Sequence, residues 1–276
     1  MKKNSLIITI CFLLTFLPTT IFSQEMISLS QMGNDKWYSN GVFYELFVRS
    51  FKDSNGDRYG DFNGVTSKLD YLKDLGITAI WLMPIHDSEE HTNNYDPVDL
   101  MAVDPTYGTM EDFQNLLDEA HKRGIRIILD LVLNHTSSKH PFFVDASKNK
   151  NSPYRDWYIF QDEKPEGSWG KYWQKCETGW YYAYFASSKP DMNFRNPKVL
   201  DYYKQVVKFW LDKGVDGFRY DAVTMLVENG DGNFKHQPES FAVFRELRAF
   251  MDENYPDRDV FTVAEAVNQM NRTTKV

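Results

Sequence analysis

Two stretches decide the fold: Arg126-Ile127-Ile128-Leu129-Asp130-Leu131-Val132-Leu133-Asn134-His135 and Gly217-Phe218-Arg219-Tyr220-Asp221-Ala222. Each begins as a short apolar run, the pattern of a strand buried on both faces, and ends in polar residues. Similar runs occupy residues 42–48, 79–83 and 260–263. Helical spacing fills residues 65–75, 110–123, 199–213 and 241–254, and Gly76, Gly124 and Gly214 follow the first three as helix terminators. Strands alternating with helices predict an α/β fold with a parallel sheet. Five strands fit either a doubly wound sheet or part of a TIM (β/α)8 barrel.

After the third strand the chain makes a long excursion, residues 137–196, rich in Tyr, Trp, Lys and Gly. A segment of that length inside an α/β domain is read as a small inserted lobe beside the site. Its aromatics include Trp157, Trp169, Trp173, Trp180, Tyr181, Tyr182 and Tyr184. Such residues more often form the core of the lobe than platforms for a sugar ring.

Composition narrows the function. The 276 residues carry 42% hydrophobic and 25% charged side chains, a globular balance. Aromatics reach 16%, an excess that fits sugar stacking as well as a large core. The formal net charge is −8, and near −10 if Lys2 and Lys3 are removed with a leader, leaving 29 basic against 39 acidic residues. An acidic chain repels nucleic acid and anionic membrane. Residues 1–23 read as an export signal: a basic start, an apolar run too short to span a bilayer, Pro18, and a small Ser23 before Gln24. The expected destination is periplasmic or extracellular, with no membrane span in the mature chain. Cleavage would remove Cys11 and leave Cys176 without an intrachain disulfide partner.

Ligands of parallel α/β folds lie at the carboxyl ends of the strands. Here those ends carry Asp130, Asn134 and His135 after the third strand, Arg219 and Asp221 at the fourth, and Glu265 after the fifth. Acids at three successive strand ends, with a neighbouring Arg and His, point to chemistry rather than to helix capping alone. Arg219 lies two residues before Asp221, so in a strand both face the same side.

These segments, in order, resemble signature motifs of the α-amylase family, glycoside hydrolase family 13. Pro190-Asp191-Met192-Asn193, Gly41-Val42-Phe43-Tyr44-Glu45 and Asn94-Tyr95-Asp96 are similar to further family stretches. The resemblance runs from Trp37 to the C-terminus and implies an incomplete (β/α)8 catalytic domain over residues 37–276, strands one to five, with the lobe inserted after strand three. It implies retaining cleavage of α-1,4-glucosidic bonds in starch or maltodextrins, an α-glucan or maltooligosaccharide being the substrate. Asp221 is then the nucleophile and Glu265 the acid/base, the two about 5 Å apart. Tyr95, Asp96, His135 and Arg219 would contact or frame the sugar, with Asp130 and Asn134 supporting them. Transglycosylation or isomerisation on the same scaffold, an α-1,6-glucosidase, and a non-catalytic carbohydrate-binding relative are the competing readings.

Asp53-Ser54-Asn55-Gly56-Asp57-Arg58-Tyr59-Gly60-Asp61 places oxygen donors at alternate positions of a glycine-rich loop, as Ca²⁺ requires. It resembles the calcium loop of oligosaccharide-cleaving family members. The resemblance implies a structural ion held by Asp53, Asn55, Asp57, Asp61 and the Tyr59 carbonyl.

Three departures from the family pattern stand out. Thr224 and Met225 replace a common Lys-His after the nucleophile, which leans toward shorter maltodextrins. Asn93-Asn94 replaces a His-Gly, so one sugar contact is expected to be missing. Residues 268–276 contain no Asp to serve as the family's third carboxylate, and strands six to eight have no counterpart. The sequence is therefore expected to be a fragment, inactive by itself.

Overall fold

The computed structural model describes residues 36–266; the expected export signal and the stretch searched for a third carboxylate lie outside the described residues. Residues 37–266 form one compact unit. In chain order the strands are β1 (Phe43–Leu46), β2 (Ala79–Leu82), β3 (His86–Ser88), β4 (Pro97–Val103), β5 (Arg126–Leu131), β6 (Phe160–Gln161), β7 (Trp173–Cys176), β8 (Gly179–Tyr182), β9 (Gly217–Tyr220) and β10 (Phe261–Ala264). The helices are α1 (Val48–Phe51), α2 (Phe62–Thr66), α3 (Leu69–Asp74), α4 (Met110–Lys122), α5 (Pro141–Lys148), α6 (Pro197–Asp212) and α7 (Pro238–Asn254).

The five buried runs form one sheet in the order β1-β2-β5-β9-β10, and every pair is parallel. Each strand lies beside the one that precedes it in the sheet. A doubly wound sheet reverses direction at a switch point; this one does not, so it is a partial (β/α)8 barrel. Register fixes what each face carries. Trp81, Ile128, Gly217 and Phe261 are aligned across four strands, and Asp130, Arg219 and Val263 across three. Aligned residues share the inner face. The alternate positions, Ile80, Leu82, Ile127, Leu129, Leu131 and Phe218, are fully buried in the outer core against the helices. Trp210 of α6 anchors that core, its ring set edge-on against Phe113 of α4 while its Nε1 donates to the Leu100 carbonyl at 2.8 Å.

The structure divides some elements differently from the sequence expectation. Residues 65–75 are two helices, α2 and α3, because Ser67 ends α2 and turns its hydroxyl back onto the Gly64 carbonyl at 2.6 Å. α6 and α7 begin earlier than expected, at Pro197 and Pro238, where proline's missing N–H costs no helical bond. The antiparallel β3–β4 hairpin carries no apolar alternation in the sequence. Between β5 and α6 lie α5 and a small antiparallel sheet ordered β6-β8-β7. Trp173, Tyr181 and Tyr182 are buried in it, as core. Among the described residues no helix is long and apolar enough to cross a membrane.

On the inner face a cavity of about 480 Å³ is lined by Phe43, Trp81, Ile128, Phe261 and Val263, and Val263 on β10 is 44% exposed. The sheet is tightest where β9 meets β10: a Cβ at Gly217 would stand 2.1 Å from the Phe261 carbonyl oxygen. Gly217→Ala is therefore expected to force β10 away from β9 and to lower stability by about 1–3 kcal/mol, read as a fall in the urea midpoint. An unchanged midpoint would show that the two strands pack more loosely than described.

Candidate active site

The parallel register carries the site. Asp130 on β5 pairs directly with Arg219 on β9, and Ala264 on β10 pairs with Tyr220. Asp221 and Glu265 each follow by one residue, so both leave the sheet side by side at its carboxyl edge. Glu265 N donates to the Tyr220 carbonyl at 2.9 Å, continuing the ladder to the acid itself.

Arg219 is the centre. Its Nη1 donates to both Asp130 oxygens at 3.0 and 2.9 Å and to Asp221 Oδ1 at 2.7 Å, while Nη2 lies 3.1 Å from Glu265 Oε2. The guanidinium also lies over the Trp81 ring, 5.0 Å from its centroid. Three carboxyls thus converge on one buried cation. Burial pushes Asp221 up to about 6; Arg219 opposes the rise, and the negative charge of nearby Glu265 adds to it. Burial likewise raises Asp130 to about 7 against the pull of Arg219.

Ala222, immediately after Asp221, adopts φ 51° and ψ 34°, the left-handed region that costs a side-chain-bearing residue about 1–2 kcal/mol. The conformation turns its N–H toward Glu265 Oε2 at 3.3 Å. Backbone strain is therefore stored between the two acids.

A cavity of about 450 Å³, within the range of small-ligand sites, opens above this group. Tyr95, His135, Arg219, Asp221 and Glu265, all named in the sequence reading, line it. Tyr95 donates its hydroxyl to Asp130 Oδ2 at 3.0 Å. His135 has Nε2 2.7 Å from the Tyr95 carbonyl and Nδ1 3.0 Å from Asn134 Oδ1, and burial lowers it to about 4. A neutral ring carries one N–H, so His135 donates to one of these two oxygens and has no second N–H to offer a ligand. Asn134 sits behind the pocket, donating to Asp191 Oδ2 at 3.0 Å and to the Met225 carbonyl at 2.6 Å.

Asp96 is not part of the wall. It is buried, both carboxylate oxygens lack a hydrogen-bond partner, and burial raises its pKa. The substitution at Asn93-Asn94 has a structural explanation. Asn94 takes φ 59°, a backbone position suited to glycine and tolerated by asparagine. Its side chain is tied to Asp104 at 2.7 Å and to Ser88 at 3.0 Å, which fixes the loop bearing Tyr95. Asn93 lines the cavity.

Sequence reasoning missed Phe185, Lys189 and Ala222 as pocket residues; Thr224 and Met225, noted as substitutions, also line it. The seven lobe aromatics named above do not line it; Phe185, 45% exposed and 5.2 Å from the His135 ring, does. Its adjacency to Tyr184 in the aromatic run was the one available signal.

The Asp53–Asp61 loop lies apart from this cavity. Asp53 accepts from the backbone N–H groups of Asn55, Gly56 and Arg58, which hold its carboxyl below the usual range. Asn55 and Asp57 each accept from the N–H two residues on. Asp61 caps α2 through Gly64 N. The donor set is all oxygen and fits a hard cation. Among the described residues no three His, Cys, Asp or Glu side chains gather around one point.

Known proteins share this architecture. Over 215 residues the chain is 52% identical to alpha-amylase 3 of Dictyoglomus thermophilum, covering 78% of this chain and 43% of that protein. It is 47% identical over 199 residues to an oligo-1,6-glucosidase of Heyndrickxia coagulans, covering 68% and 36%. The crystal structure of Bacillus licheniformis trehalose-6-phosphate hydrolase superposes with a TM-score of 0.77 at 35% identity, covering 84% of this chain and 45% of that one. The chain thus spans less than half the length of these relatives. Residues 45–276 match the family model for the alpha-amylase catalytic domain, and the chain belongs to that family, glycoside hydrolase family 13.

Proposed function

We propose that this protein hydrolyses α-1,4-glucosidic bonds of maltodextrins with retention, using Asp221 as nucleophile and Glu265 as acid/base. One observation carries the reading: the two carboxyls meet on a single guanidinium at the base of a sugar-sized cavity. A retaining enzyme needs its acids close together, whereas an inverting one leaves room for a water between them. Arg219 keeps negative charge on Asp221 as it attacks the anomeric carbon. Glu265 delivers a proton to the departing oxygen and then withdraws one from the water that releases the sugar. Tyr95 offers its ring to the glucosyl unit while Asp130 holds its hydroxyl. The α-1,4 preference draws on the alpha-amylase named above; the oligo-1,6-glucosidase supports an α-1,6 reading on the same pair of acids.

Product analysis of the protein in its natural full length on maltoheptaose, pullulan and isomaltose separates these readings. Maltose and maltotriose from maltoheptaose are expected, with isomaltose left intact; trehalose as the sole product would refute hydrolysis. Asp221→Asn should lower kcat by at least about a thousandfold. The nucleophile works only when ionised, so with Asp221 near 6 activity should climb as pH rises through about 6. An acid limb near pH 4 would contradict the burial of this carboxyl.

The open inner face leads to a further expectation. Residues 37–266 in isolation leave the cavity beside Val263 uncovered, and the family's third carboxylate has no counterpart among them. That segment alone should bind poorly and show no turnover.

The reading extends to a structural Ca²⁺ in the Asp53–Asp61 loop and to export by the first 23 residues. The ion would tie down the loop leading into α2, with no part in bond cleavage. At a hundredfold excess over Kd, Ca²⁺ should raise Tm by about 5–10 °C over the EDTA-treated protein. Asp57→Ala should abolish that difference. Equal melting with and without EDTA would remove the metal from the account.

A further inference from the structure

The hydrogen-bond capacity of the pocket is unevenly used. A sugar hydroxyl both donates and accepts. Asp221 as a carboxylate can only accept, and the proton of Glu265 is reserved for the departing oxygen. Arg219 is spent on three carboxyls, Tyr95 on Asp130, and the single N–H of neutral His135 on one of the two oxygens flanking its ring. Lys189 is different. It lines the cavity from the lobe, just before Pro190, and is half-buried. Its backbone is fixed by a bond from its N–H to the Ala186 carbonyl at 2.9 Å. No hydrogen bond or ion pair engages its ammonium among the described residues, and unlike the other unpaired lysines of the strand-end side it lines the cavity itself. The groups facing it are His135, which is neutral, and Asp96, whose carboxylate lies within its electrostatic reach but outside ion-pairing distance. An ammonium carries three donors, and a partly desolvated one without a partner is costly to keep.

We propose that Lys189 is a specificity-determining residue whose ammonium donates hydrogen bonds to hydroxyl oxygens of the bound α-glucoside. It supplies from the lobe the charged donor that the strand-end residues have already committed among themselves. Asn93, whose Oδ1 accepts from Tyr95 N at 3.2 Å, offers its amide N–H groups from the adjoining loop and completes the donor side of the wall. This rests on the glucoside reading of the pocket, and the experiment separates the two.

Hydrolysis of maltotriose and of a set of monodeoxy 4-nitrophenyl α-glucosides is measured for the full-length wild type, Lys189→Gln and Lys189→Met. Calorimetric binding of maltotriose is measured in an Asp221→Asn background with and without Lys189→Met. Charge-assisted bonds of this kind lead to an expected loss of about ten- to a hundredfold in kcat/KM and in affinity for Lys189→Met. Lys189→Gln, which keeps donors but not charge, should fall between. One deoxy substrate that wild type handles poorly should lose its disadvantage in Lys189→Met, since the missing hydroxyl and the missing ammonium are partners. Melting should stay within about 1 °C of wild type. Unchanged affinity and an unaltered deoxy profile would overturn the proposal, as would a fall of several degrees in Tm, which would make Lys189 the counter-ion of Asp96. A wild type that cleaves and binds no α-glucoside would instead defeat the functional reading itself, and this proposal with it.

Discussion

Arg219 is held by Asp130, Asp221 and Glu265, carboxyls carried by three neighbouring strands. Removing such a cluster from water costs several kcal/mol per ion, and the attraction among its members does little more than offset that cost. Its value lies in specificity of arrangement. The three acids can share one guanidinium only if β5, β9 and β10 keep the register that aligns Asp130, Arg219 and Val263. A one-residue slip would send every one of these side chains into the apolar outer core. The site and the sheet are thus two descriptions of one register. With three carboxyls to one cation, the excess negative charge also explains why burial raises Asp130 and Asp221 rather than leaving both fully ionised.

This dependence governs what the sequence could disclose. The strands were legible because the core positions are continuous: the outer face needs Ile, Leu and Phe at every second residue, and the inner face mixes Trp81 and Ile128 with the charged group. Strand order was not legible in the runs themselves, since the same five suit a doubly wound sheet; only the family motifs pointed to a partial barrel, and the pairing bears that out. The β3–β4 hairpin was invisible because Asp87, Pro97 and Asp99 interrupt any alternation, its stability coming from contacts such as Trp210 Nε1 on the Leu100 carbonyl. Helix starts were missed by two or three residues where proline opens the first turn.

The site divides in the same way. Acids at strand ends could be read because a single register places them together. The opposite wall could not, since Phe185 and Lys189 come from a loop whose approach depends on tertiary contacts. Asn94 illustrates the limit. In the sequence it reads as the loss of a glycine. In the structure it keeps the left-handed backbone and adds bonds to Asp104 and Ser88 that a glycine lacks. The substitution read in the sequence only as a lost sugar contact thus also fixes the loop that carries Tyr95.

The lobe is joined to the barrel through the same residues that back the site. His135 forms a β-bridge with Asp191, Met192 N donates to the Asn134 carbonyl at 2.8 Å, and Asn134 reaches Asp191 and Met225 at once. Asp191 is fully enclosed, and burial raises its carboxyl well above the ordinary value, so this seam is sensitive to anything that changes its hydration. Phe185 and Lys189 lie just before Asp191 in the chain. Their distance from Asp221 is therefore set by the seam, not by the lobe's own small sheet. A long excursion that packed only on itself would leave the pocket's far wall free to drift. Anchored at Asn134 and His135, that wall is held by the strand end that also supplies Asp130, so the acid cluster and the opposing donors share one rigid support.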